Sequence, residues 1–205
     1  MNNNKLKALE SSFLNQYPQG FDTEEMVKIG KKHNVKKLQE YVHTVLSKDN
    51  MKKGLKVFDE IMKIVTKSSM VSVFEKVKFR DLVREFDNNE KHHLLSAIYE
   101  NIHGDEQLGF DMLVGALLPY KLAKWPLITV FRAYYNLDYD VFVKPTTVKK
   151  VIKFLEIDDI EYTSKPNFDF YSRYRKYIND MKQEVSKSLS PNNPAFSGFL
   201  MITIQ

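Results

Sequence analysis

The chain contains no cysteine. That excludes a disulfide scaffold, a cysteine-ligated zinc site, an iron–sulfur cluster and a cysteine nucleophile. Glycine and proline are scarce, seven of each in 205 residues, which excludes collagen-like and low-complexity classes. No apolar run approaches the roughly 18 residues that a membrane span needs. The opening Met1-Asn2-Asn3-Asn4-Lys5 has no apolar core behind a basic region, so it does not read as a secretory signal, and the cytoplasm is the expected compartment. HExxH, EF-hand, GxSxG, P-loop and GxGxxG patterns are all missing, so no metal and no cofactor are expected. His92 and His93 are adjacent and would diverge on a helix, which makes a poor metal pair.

Apolar mass, by contrast, is ample. Hydrophobic residues make up 43% of the chain, with 14 Phe and 11 Tyr, enough to bury a core without metals or disulfides. The net charge of +5 is uneven: residues 1–78 carry +6, residues 79–118 carry −5 and residues 119–205 carry +4. Such a chain could meet polyanions with its ends, although a lysine-rich surface is commonplace.

The apolar spacing is helical throughout. It predicts an all-α, single globular domain over residues 1–205, built from about nine or ten helices, with residues 1–67 a candidate N-terminal subdomain. Leu108 to Leu118 is apolar nearly all round and is expected to be the central buried helix. Gly104 is expected to end the preceding helix as a left-handed cap. Residues 71–79 are ambiguous, because Val71, Val73, Val77 and Phe79 alternate as in a strand; helix is the favoured reading. Pro145 should open a helix at its first turn, and Phe168 to Val185 reads as one long amphipathic helix.

Three sets of residues are candidates for function. On the helix from Pro145, Val148, Val151, Ile152 and Leu155 share one face and Lys149, Lys150 and Lys153 the other. With Lys144, Thr146 and Thr147 at its N-terminus, this element has the chemistry of a phosphate contact. The plainer reading is a solvated lysine face. Arg173, Arg175 and Lys176 on the long helix form a second basic set, interleaved with Phe170, Tyr171 and Tyr174 as in single-strand binders. The two tyrosines fall on the apolar stripe, so core is their more common role. Lys124, Trp125, Arg132 and Tyr135 are candidate lining residues of a pocket, with Trp125 packed as a hinge between two buried helices. Asp138-Tyr139-Asp140 and Asp158-Asp159 are acid pairs that turn and cap chemistry explains.

Four segments in residues 110–202 carry a resemblance: Lys121-Leu122-Ala123-Lys124-Trp125, Val141 to Lys150 (VFVKPTTVKK), Lys165-Pro166-Asn167-Phe168, and Asn192 to Leu200 (NNPAFSGFL). Together they resemble a family of uncharacterised, all-helical bacterial proteins, which implies a helical fold and no particular activity. Leu118-Pro119 before Lys124, followed by Val143-Lys144-Pro145-Thr146-Thr147-Val148, is also faintly similar to helix-hairpin-helix DNA glycosylases. Here Tyr120-Lys121-Leu122 lacks the hairpin glycines and Lys144 stands where that family has its catalytic aspartate, so base excision is not implied.

Three functions remain in view. The first is a noncatalytic interaction or scaffolding protein, with a protein partner or a homodimer through the apolar C-terminus, Phe196 to Ile204. A nucleic-acid-associated protein using the basic helix faces is the second. The third is a small-molecule binder or enzyme with an uncatalogued site.

Overall fold

The computed structural model describes residues 1–204, and no strand occurs among them. In chain order the helices are α1 (Asn3–Gln16), α2 (Glu24–His33), α3 (Val35–Val45), the single turn α4 (Lys48–Met51), α5 (Phe58–Lys67), α6 (Val73–Glu85), α7 (Asn88–His103), α8 (Glu106–Leu117), α9 (Trp125–Tyr135), α10 (Pro145–Phe154), α11 (Phe168–Glu184) and α12 (Asn193–Thr203). Eleven of them have ten or more residues, against the nine or ten expected. Two of the breaks between helices are very short. Asn34 alone divides α2 from α3, at a left-handed φ of 49°. Only Gly104 and Asp105 divide α7 from α8.

Local chemistry decides the ambiguous stretch in favour of helix. Ser72 accepts from the Glu75 backbone N–H, and the Glu75 carboxylate accepts from that of Ser72. This capping box starts α6 at Val73 and satisfies two otherwise orphaned donors. Gly104 is not the left-handed cap expected, having φ −115° and ψ −135°. Glycine suits it for another reason: a Cβ there would lie 1.9 Å from the Glu100 carboxylate.

The central helix is α9 rather than α8. Nine of the eleven residues of α9 are buried, from Trp125 through Phe131 together with Ala133 and Tyr134. In α8 the buried residues Phe110, Leu113, Val114 and Leu117 keep a three- and four-residue spacing, so Leu108 falls on the solvent side. Trp125 donates its indole N–H to the Thr163 carbonyl at 2.7 Å and packs 5.3 Å from Phe170. It is a buried core residue at the start of α9.

One continuous set of buried apolar side chains runs from Leu6 to Ile204. Helix α1 packs on α12, α3 and α5 pack on α9, and α10 and α11 pack on α12. Residues 1–67 thus contribute side chains to a core shared with distant elements. The apolar C-terminus is likewise covered by its own chain: Phe196, Phe199, Leu200 and Ile204 are buried, and Phe199 meets the Phe13 ring edge-on at 5.4 Å. No helix among the described residues is long and apolar enough to cross a membrane.

Candidate functional site

Arg132 and Arg175 meet on a single buried carboxylate. Asp140 is 2% exposed. Its Oδ1 accepts from Arg175 at 2.7 Å, from Arg132 Nε at 3.1 Å and from the Tyr171 hydroxyl at 3.1 Å. Arg132 reaches Oδ2 at 3.1 Å as well. Arg175 further donates to both oxygens of Glu106, and the Tyr139 ring lies 4.5 Å from its guanidinium. Two guanidinium groups face two carboxylates, so the cluster is neutral and its strong donors are matched. Burial opposes the charge on Arg175. The Glu106 hydrogen bond, the Tyr171 phenol and the Asp140 hydrogen bond outweigh it and hold its pKa above the ordinary guanidinium value. Burial, then the Asp140 charge, pushes the Tyr171 phenol up. The cluster joins α8, α9, α11 and the loop after α9. Arg175 is thus withdrawn from the basic surface, and Asp140 is a buried counter-ion, not a turn or cap residue.

The other lining candidates are not brought together. Lys124 is the exposed N-cap of α9, while Tyr135 ends the same helix roughly 16 Å away at 1.5 Å of rise per residue. Tyr135 packs between His43 and His103, at 5.0 and 5.5 Å. His43 donates to the Tyr135 carbonyl and His103 to the Leu46 carbonyl, each at 2.6 Å. Those histidines close the ends of α9 and α3. No group of three potential ligand side chains occurs among the described residues.

The basic residues divide cleanly. Arg173 is paired with Asp159 at 3.0 Å and Asp169 at 3.8 Å, and Lys176 with Asp180 at 2.6 Å. On α10, Lys144, Lys149, Lys150 and Lys153 are exposed, and none joins an ion pair among the described residues. Lys149 lies 4.8 Å from the Tyr162 ring centroid. A shallow groove of about 100 Å³ runs between α10 and α12, edged by Thr146, Thr147, Lys150, Met201 and Ile204. The sequence places these two segments apart; the fold makes them neighbours.

The most unusual surface is on α6. Val73, Phe74 and Val77 are 72%, 83% and 40% exposed, while Phe79 and Val83 of the same helix are buried. Val73, Val77, Arg80 and Arg84 follow steps of four, three and four residues, which aligns them in one stripe. Beside the stripe a groove of about 330 Å³ opens between α5 and α6, with Asp59, Met62, Lys63, Arg80 and Arg84 on its walls. Sequence reasoning did not single out this face. The Ser72-x-x-Glu75 signature could have found it, since a helix started there turns Val73 and Val77 away from Phe79 and Val83. No family model, curated protein or solved structure matches this chain.

Proposed function

We propose that this chain is a noncatalytic helical interaction protein whose contact face is α6. The observation that carries this reading is a phenylalanine 83% exposed between two exposed valines, on a helix whose other side is core. Neighbouring exposed apolar side chains beside charged ones have the composition of a contact surface. The capping box holds the helix that presents them. The test is a photo-crosslinking residue at Phe74, with exposed Lys187 as control, in the cells that make the protein. A discrete adduct at Phe74 is expected, absent at Lys187 and lost when Val73 and Val77 become serine. No adduct at Phe74, or the same products at both positions, would contradict the reading.

A specific observation favours a second reading, contact with nucleic acid through α10. Four lysines there lack carboxylate partners among the described residues, and Thr146 and Thr147 occupy the first turn, where free N–H groups attract anions. Binding to a labelled strand or duplex should then weaken steeply with salt. It should disappear in a Lys149→Glu/Lys150→Glu/Lys153→Glu variant. Wild-type protein that binds neither probe at low salt would end this reading.

A further inference from the structure

We infer that the α6 stripe of one copy docks on the α8 stripe of a second copy of this chain. The inference rests on the proposed interaction role and names the occupant of the α6 face. Helix α8 presents a complementary stripe: Leu108, Asp111, Gly115 and Leu118 follow steps of three, four and three residues, and all four are exposed. Leu108 and Leu118 are 53% and 46% exposed. Asp111 joins no ion pair among the described residues. On the α6 side, Lys63 and Arg84 join none either, and Arg80 is engaged only by its exposed neighbour Asp81, at 2.9 Å.

The two stripes match in kind. Each offers large apolar side chains, one with cations and the other with an unpaired carboxylate, so apolar contact and charge complementarity favour the same pairing. Gly115 adds a steric argument. A Cβ built there meets nothing within 4 Å, so the fold itself does not need glycine at that position. Glycine inside a helix is less favourable than alanine. Its bare backbone lets a facing helix approach closely. Each contact joins two different stripes, so the interface is isologous where the contact is made twice and heterologous where it is made once. It closes as a dimer if both stripes of each copy engage, and grows as a chain if they do not.

The test is the mass of the full chain in solution across a concentration and salt series, by sedimentation. Wild type is expected to associate with rising concentration and to dissociate with rising salt. Arg80→Glu/Arg84→Glu and, separately, Asp111→Arg should each weaken association roughly tenfold or more, about 1.4 kcal/mol. Mixing the two variants should restore it, because the reversed charges are complementary again. All three residues are exposed, and unchanged melting confirms intact folds; Arg80→Gln/Arg84→Gln and Asp111→Asn replace any variant that does not fold. Wild type that stays monomeric overturns the inference, as does association indifferent to either variant, or a mixture that stays apart. Should wild type be monomeric while Phe74 still crosslinks to a different protein, the interaction role stands and only its occupant is wrong. An adduct of two copies at Phe74 supports both.

Discussion

Replacing Asp140 with alanine is expected to cost about 3–5 kcal/mol of stability, the range for breaking a buried ion pair from one side. The reason is what remains behind. Arg175 and Arg132, with side chains 7% and 14% exposed, would share only Glu106, and the Tyr171 hydroxyl would lose its acceptor. An unpaired buried charge is far more costly than a missing contact. For a chain of this size the melting temperature should fall by on the order of ten degrees. Arg173→Ala is the control: its pairs with Asp159 and Asp169 are exposed, and such pairs contribute about 0–1 kcal/mol. Thermal or urea unfolding of the two variants measures the contrast. Equal small losses would mean that the buried cluster is not what joins α8, α9 and α11.

Alkali should unfold the protein in a single cooperative step. Tyr134, Tyr171 and Tyr174 are buried, and burial raises the pKa of each above the ordinary 10.0. A phenol whose folded pKa exceeds its unfolded one keeps its proton longer in the native state. Its stabilising contribution is therefore intact below pH 10.0 and is lost as pH rises towards the folded value. Each such tyrosine removes about 1.4 kcal/mol per pH unit in that window. Three acting together exhaust a stability of about 5–15 kcal/mol within a few pH units. Ultraviolet phenolate absorbance followed alongside circular dichroism reads the result. Three of the eleven tyrosines should ionise only as the helices melt. A smooth titration of all eleven in the folded protein would show that these phenols are accessible.

The all-helical class and most helix starts were legible, because they depend on neighbours in sequence. Pro145 opens α10 as its missing N–H allows, and Tyr171 and Tyr174 are buried as their stripe position implies. Arg175 was legible in principle. It sits four residues after Tyr171 and three before Ile178, squarely on the buried face of α11, so a partner charge was required. Lys182, four after Ile178, behaves alike: it donates to the Asp138 carbonyl at 2.8 Å, and burial lowers its pKa. The identity of Arg175's partner was not readable. Asp140 lies in a loop, and loops carry no periodicity that tells which helix they cross. The same holds for the groove between α10 and α12, made from segments about fifty residues apart. The choice of α9 over α8 as central helix also turns on tertiary neighbours, since both are strongly apolar. The α6 face was obscured by a conflict of signals, alternating valines against a capping box, which the hydrogen bonds of Ser72 and Glu75 resolve.

The claim that α6 is a contact face is tested most directly by hydroxyl-radical footprinting of Phe74, in dilute purified protein and inside the cells that produce it. The expected result is rapid oxidation of Phe74 in the purified chain and protection in the cell, while an exposed residue such as Tyr139 reacts in both. Oxidation of Phe74 to the same extent in both settings would contradict the account, and so would protection in the dilute purified chain.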